Sequence, residues 1–281
     1  MPSDFTHFQV TPANPTIGGH ISGIDLNADL SDDVYAELKA ALHRYKVIFF
    51  RNQDLSTDKY LKLGQHFGEL ENHEFFPSLD GVPEIQVITA EGGNTGVDRW
   101  HADVTFRPNP SAASILRARD IPPIGGDTMW LCSNAAFRGL SEPLQELVLK
   151  LEAIHDMRMG MTGYLDPDVV EKNARENPPR RHPAVIAHPV TGAPLLFVNS
   201  IWTSGFAGLS KNESDMLLQL LMDHVKSPEY QVRFKWEVNS IAIWDNLATQ
   251  HYALGDYSYR RVMNRMVVGG IVPEAYNPAK R

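Results

Sequence analysis

The chain of 281 residues carries 26 basic and 34 acidic side chains, a net charge of −8, with 43% hydrophobic and 21% charged residues. This is the composition of an ordinary globular protein. It excludes collagen, coiled coil and extended disorder, and its acidic balance disfavours a nucleic-acid binder, which needs clustered Lys and Arg. The lone cysteine, Cys132, excludes an intramolecular disulfide and any thiolate-rich zinc or iron–sulfur site. A chain of this length buries roughly 75% of its unfolded surface. No repeat, low-complexity tract or Gly/Ser linker divides it, so residues 1–281 read as one domain.

The first ten residues, MPSDFTHFQV, hold an acid and no apolar run, unlike a signal peptide. Ser31 is placed to N-cap a helix whose inner face is Val34, Leu38, Ala41, Leu42 and Tyr45. The apolar run Val47–Phe50 predicts a strand, and a helix from Thr57 turns Tyr60, Leu63, Gly64 and Phe67 inward. Further strands are expected at Ile85–Thr89, Ser114–Arg117 and Thr128–Leu131, the last entered through a tight turn at Gly125-Gly126. Ser141 opens a helix with Leu144, Leu147, Val148 and Leu151 as its stripe. From His182 to Ser210 there is no charged Asp, Glu, Lys or Arg, but Pro183, Pro189 and Pro194 break the stretch, so it reads as loops and strand rather than a membrane span. Ser210 and Glu213 have capping-box spacing ahead of a helix carrying Leu217, Leu220 and Leu221. Tyr230, Val232, Phe234 and Trp236 alternate with polar residues as in a half-buried strand, and Ile241–Trp244 and Arg261–Val268 complete the set. Strands and helices do not alternate regularly, which argues against a doubly wound sheet and for an α+β protein: an antiparallel sandwich or jelly roll with peripheral helices. The whole reads as soluble and cytoplasmic.

Chemistry concentrates in Trp100-His101-Ala102-Asp103-Val104-Thr105-Phe106. If this segment is extended, the imidazole and carboxylate point to one face about 6–7 Å apart and their tips can converge on one ion. A third ligand is available in His251, which follows the strand Ile241–Trp244. Two His and one carboxylate on one face of a metal form the facial triad of non-haem Fe(II) oxygenases. On these residues alone, a surface hydrogen bond or a buried, satisfied His accounts for the pattern equally. Arg261, Met263 and Arg265 share one face of the last strand, the two arginines about 13 Å apart, where each could hold an anion or simply face solvent. No phosphate loop, dinucleotide fingerprint, nucleophile elbow or His-Glu-x-x-His motif occurs.

Together these segments resemble the taurine dioxygenase (TauD/TfdA) family of Fe(II)- and 2-oxoglutarate-dependent oxygenases. The resemblance is carried by Trp100–Phe106, Gly125-Gly126-Asp127-Thr128-Met129-Trp130, His188-Pro189-Val190-Thr191-Gly192, Phe197-Val198-Asn199, Ile243-Trp244-Asp245-Asn246, Gln250-His251-Tyr252-Ala253 and Arg260-Arg261-Val262-Met263, and extends from Ile21 to about Gly270. It implies a double-stranded β-helix with iron held by His101, Asp103 and His251. It also implies 2-oxoglutarate chelating that iron, its far carboxylate on Arg261 and Thr128, with O2 as oxidant. With Asp103 present, hydroxylation rather than halogenation is implied. The family often forms dimers or tetramers, so a homo-oligomer is expected, with neither nucleic acid nor membrane as partner.

Arg265 and His73 match the residues that bind the sulfonate in the taurine enzyme. Elsewhere the sequence departs from that enzyme: Phe76, Gly96-Val97, Gly160-Met161 and Trp202 replace residues that include polar groups near the amino end of taurine. Phe76, Val97, Met161 and Trp202 are expected as apolar walls, so the expected substrate is a small organic anion (sulfonate, sulfate ester or carboxylate), with taurine not the best of them. Two alternatives remain at this stage, a non-enzymatic jelly-roll binding protein and a Zn or Mn hydrolase using the same triad. The pairing of Arg261 with Thr128 argues against the second, since a hydrolase needs no 2-oxoglutarate anchor.

Overall fold

The computed structural model describes residues 5–72, 77–92 and 98–280. In chain order its strands are β1 (Gln9–Pro12), β2 (Gly19–Ser22), β3 (Val47–Phe50), β4 (Leu70–Glu71), β5 (Ser78–Leu79), β6 (Val82–Ala90), β7 (Ser111–Asp120), β8 (Thr128–Cys132), β9 (Glu152–His155), β10 (Arg180–Pro183), β11 (Val185–Ala187), β12 (Pro194–Leu196), β13 (Thr203–Phe206), β14 (Gln231–Phe234), β15 (Ile241–Asp245), β16 (Thr249–Ala253) and β17 (Arg261–Gly270). The helices are α1 (Asp32–Tyr45), α2 (Thr57–Phe67), α3 (Ser133–Gly139), α4 (Glu142–Val148), α5 (Met157–Met161), α6 (Pro167–Glu176) and α7 (Lys211–His224).

The large sheet runs β1-β2-β3-β15-β7-β17-β6-β5, with β4 also paired to β17. Its pairs are antiparallel except β2 with β3. A second, antiparallel sheet, β14-β8-β16, faces it. The central strands are buried on both faces, which is why they read as unbroken apolar runs. In β3, Ile48 and Phe50 pack with Leu38, Leu42, Tyr60 and Leu63 of α1 and α2. Val47 and Phe49 point the other way, into a second cluster with Leu116, Met263 and Trp244 of the large sheet and Trp130, Val232 and Phe234 of the small one. The result is a mixed α+β fold whose core is a double-stranded β-helix with peripheral helices, as the sequence implies.

Helices α1 and α2 begin and end close to where periodicity places them, and the capping box at Ser210 forms. Two stripes need correction. Leu147 is 41% exposed and Leu220 is 44% exposed, because α4 turns Val148 inward and α7 turns Leu221 and Met222 inward. The strand expected at Tyr230–Trp236 pairs only over Gln231–Phe234, Tyr230 ending a 3-10 turn, although Trp236 is still buried. Among the described residues, no helix is long and apolar enough to cross a membrane.

Candidate metal and dicarboxylate site

His101 and His251 meet as an antiparallel backbone pair: His101 N donates to His251 O at 3.1 Å and His251 N to His101 O at 2.7 Å. Residues paired in this way project their side chains to one side at close range, and the two imidazoles stand with centroids 4.1 Å apart. Asp103 does not join them through strand alternation. Beyond His101 the segment turns, with Val104 in the left-handed region at φ 48, a conformation costly for a β-branched residue. The expected extended segment is therefore corrected to a bridge followed by a turn. The turn is fixed from several sides. Asp103 N donates to Asn246 Oδ1 (2.8 Å), Asn246 Nδ2 donates to the carbonyls of Asp103 (3.1 Å) and Ser111 (2.9 Å), and the Trp202 indole N–H donates to Ala102 O (3.0 Å).

The outcome brings the three residues together. Asp103 Oδ1 lies 3.8 Å from Nε2 of His101 and 3.8 Å from Nε2 of His251. All three residues are buried. His101 Nδ1 faces the Arg99 carbonyl at 2.7 Å and so carries the proton, leaving the Nε2 lone pair for an ion. Burial holds the His101 imidazole below its ordinary pKa against the pull of Asp103, and burial together with the neighbouring His101 lowers His251 to about 3. Both rings are thus neutral at pH 7, as metal ligation requires.

A cavity of about 100 Å³ opens beside the triad, lined by His101, His251, Thr128, Arg261, Arg265 and apolar side chains that include Ile88, Leu116 and Met263. The β17 alternation delivers both arginines, each 8% exposed, to this interior face. Nε and Nη2 of Arg261 are buried without a hydrogen-bond partner. Burial pushes its pKa down, opposed by Tyr257 and Asp127, yet a guanidinium does not discharge in proteins. An unpaired buried cation of this kind calls for an anion. Thr128 Oγ1 accepts from the Trp236 indole at 2.9 Å, which leaves its own proton to donate into the cavity. The donor set therefore fits a metal with a dicarboxylate anchored beside it. Arg265 lies closer to the triad, its Nη1 3.5 Å from Asp103 Oδ1 and its Nε donating to Gln86 Oε1 at 2.8 Å.

Other expected residues fall differently. His73, Phe76 and Val97 lie outside the described residues. Met161 and Trp202 belong to an apolar cluster with Val104, Phe106, Met157 and Ile201 and do not line the cavity with the arginines. Trp202 packs edge-on to Phe106 and spends its N–H on Ala102 O, so it supports the Asp103 turn. Sequence reasoning missed Asn246, Ser114 and Gln86. Asn246 sits within a motif that carried the resemblance, but nothing local to it reveals its contact with Asp103.

A second cluster, His43, His188 and Asp245, also gathers possible metal ligands. His188 Nδ1 accepts from the backbone N–H groups of Val190 and Thr191, so its Nε2 bears the proton and donates to Asp245 Oδ2 at 2.7 Å. Burial would raise the Asp245 pKa, but the hydrogen bond from His188 and the approach of His43 Nδ1 to within 3.5 Å outweigh it and hold the carboxyl below the usual range. Asp245 Oδ1 accepts from the backbone of Leu247 and Ala248, shaping the turn from β15 to β16 that carries Asn246 and leads to His251. The cluster is a hydrogen-bonded brace, with no lone pair of His188 left for an ion.

The profile of the taurine catabolism dioxygenase TauD, TfdA family matches residues 9–267. The chain is 36% identical over 276 residues to an alpha-ketoglutarate-dependent sulfate ester dioxygenase of Pseudomonas putida, covering 94% of this chain and 90% of that protein. The crystal structure of a taurine dioxygenase from Burkholderia xenovorans superposes with a TM-score of 0.84 at 36% identity, covering 98% of this chain and 93% of that one. The crystal structure of AAD-2 in complex with Mn(II) and N-oxalylglycine superposes with a TM-score of 0.82 at 26% identity, covering 95% and 99%. A match this extensive, on a fold and metal triad of this form, places the chain in the TauD/TfdA family of Fe(II)- and 2-oxoglutarate-dependent dioxygenases.

Proposed function

We propose that this dioxygenase oxidises a small organic anion, an alkyl sulfate ester foremost and an alkyl sulfonate or a carboxylate by the same geometry. The observation that carries the reading is a single cavity beside the His101/Asp103/His251 triad, lined by both histidines, by Arg261 with two unpartnered nitrogens and by a second buried arginine, Arg265. His101, Asp103 and His251 would hold Fe(II). Arg261 would fork onto the far carboxylate of 2-oxoglutarate, with Thr128 donating a further hydrogen bond. Bound Fe(II) with 2-oxoglutarate and O2 supplies oxidation of a C–H bond, with succinate and CO2 as coproducts. Arg265 would hold the anionic head of the prime substrate with His73, while the apolar lining excludes water and aims the neighbouring carbon. Phe76 and Val97 are assigned to the alkyl side of that substrate, while Met161 stays with the apolar cluster around Trp202.

The sulfate ester is placed first because the Pseudomonas putida relative is a sulfate ester dioxygenase. Hydroxylation at the carbon bearing the ester oxygen gives an adduct that collapses to aldehyde and sulfate. With a sulfonate, attack at the carbon bearing sulfur gives aldehyde and sulfite.

The test is succinate formation by iron-loaded protein with 2-oxoglutarate and O2 across hexyl sulfate, hexanesulfonate, taurine and phenoxyacetate, with sulfate and sulfite measured alongside. Hexyl sulfate is expected to stimulate succinate most and to release sulfate in step. The highest kcat/KM on taurine would overturn the substrate reading. Failure of folded, iron-loaded protein to form succinate with any of them would overturn the enzyme reading.

A further inference from the structure

We infer that Ser114 is a positioning residue that selects which oxygen of Asp103 faces the metal position, making that carboxylate a one-oxygen ligand. Ser114 lies on β7, fully buried, between Ala113 and Ile115 and opposite Trp244 on β15 and Val267 on β17. Ile115 faces the cluster under α1 and α2 while Leu116 faces the sandwich interior, so alternation sends Ser114 to the interior face beside the triad. Burying a hydroxyl among such neighbours costs roughly 1–3 kcal/mol unless it is hydrogen-bonded, and Ala would fill the position as well for folding. The hydroxyl instead donates to Asp103 Oδ2 at 3.1 Å.

The backbone on either side of that carboxylate is already held by Asn246, which bonds both Asp103 N and Asp103 O. The carboxylate itself is gripped at its two ends, Oδ2 by the Ser114 hydroxyl and Oδ1 by the Arg265 guanidinium, and Ser114 fixes which oxygen turns away from the histidines. With Oδ2 turned to Ser114, Oδ1 is the oxygen that lies 3.8 Å from both His Nε2 atoms and 3.5 Å from Arg265 Nη1. The consequence is one of coordination count. A carboxylate that chelates through both oxygens occupies a position that a facial triad must leave open, and an outer hydrogen bond of this kind orients a ligand and tunes its affinity. The inference rests on the metal reading of the triad and not on the identity of the substrate.

The experiment is titration of metal-free protein with Co(II), followed by the d–d absorption bands, for the parent, Ser114→Ala and Ser114→Cys. Ser114→Ala is expected to weaken Co(II) binding about tenfold or more, with d–d bands of lower intensity as the coordination number rises. Ser114→Cys keeps the volume with a poorer donor and is expected to fall between, so it decides the matter if Ser114→Ala does not fold. Both variants binding within about twofold of the parent with parent bands would overturn the inference, as would weaker binding with unchanged bands. A parent that takes up no Co(II) would overturn the metal reading and this inference with it.

Discussion

Arg261 shows how a single side chain can disclose a ligand. Its guanidinium is buried and two of its nitrogens have no partner, a state that stabilises nothing until a carboxylate arrives. Charge-assisted hydrogen bonds contribute about 1.5–3 kcal/mol, so Arg261→Ala is expected to raise the KM for 2-oxoglutarate by about 10- to 100-fold while leaving Co(II) affinity near the parent value. Arg261→Lys should recover only part, because the ammonium lacks the planar fork. An unchanged KM in Arg261→Ala would remove its role. Arg261 and Arg265 are legible in the sequence because period 2 along one strand fixes their common face. Ser114 and Asn246 are not, because their meaning lies in contacts to Asp103 across 11 and 143 residues, which no local pattern encodes.

The element that makes the metal site is the turn at Asp103, and its shape was not readable from His-x-Asp spacing. Alternation predicts two side chains on one face of a strand. The chain instead leaves the extended conformation after His101 and carries Val104 at positive φ, held by Asn246, by Trp202 and by a bond from Arg107 N to Val104 O at 2.9 Å. Trp202 is itself seated on α5, where Gly160 offers the only side chain small enough: a Cβ there would drive into the Trp202 ring and Ile201. Gly160→Ala is therefore expected to destabilise the protein by about 1–3 kcal/mol through overpacking and to weaken Co(II) binding by loosening the bond from Trp202 to Ala102. Thermal unfolding and the same Co(II) titration measure both, and a variant unchanged in each would break the link between α5 and the metal turn. Elements with strong periodicity, such as α1, α2 and β3, follow from sequence alone. The short α3 and α5 do not, since neither carries a stripe of large apolar residues; α6 was also missed, although Asp166 and Pro167 at its start, a cap and a first-turn proline, are a signal that could have found it.

Across the whole molecule, burial of neutral histidines links stability to pH. His155 is fully buried, with Nδ1 2.8 Å from Thr105 Oγ1 and the His182 ring 5.3 Å away. Burial first, then His182, lowers its pKa to about 3. Below the unfolded value of about 6.5 the unfolded chain takes up a proton that the folded chain refuses. The loss of stability therefore begins as pH falls through 6.5 and continues toward 3, at roughly 1 kcal/mol per pH unit for this group. Urea unfolding of metal-free protein at pH 7, 6 and 5 should show this decline, and His155→Gln should make it shallower by about one proton's worth. Equal slopes in the two proteins would rule out His155 as a source. The jelly-roll class itself was visible in the unbroken apolar runs of the central strands and in the irregular order of helices and strands. The pairing of strands distant in sequence, such as β3 with β15, was not, because register is set by partners and not by the strand alone.

The backbone bridge between His101 and His251 also bears on the order of events in the life of the chain. The first two ligands, His101 and Asp103, precede the third, His251, by a long stretch of chain, and closure of that loop is needed to bring them side by side. A nascent chain has no complete cradle for the ion until β16 has been synthesised and has docked against β8. The full set of metal ligands is thus assembled only by the pairing of elements far apart in sequence. A metal that binds this folded cradle and not the unfolded chain adds stability that grows with free metal concentration.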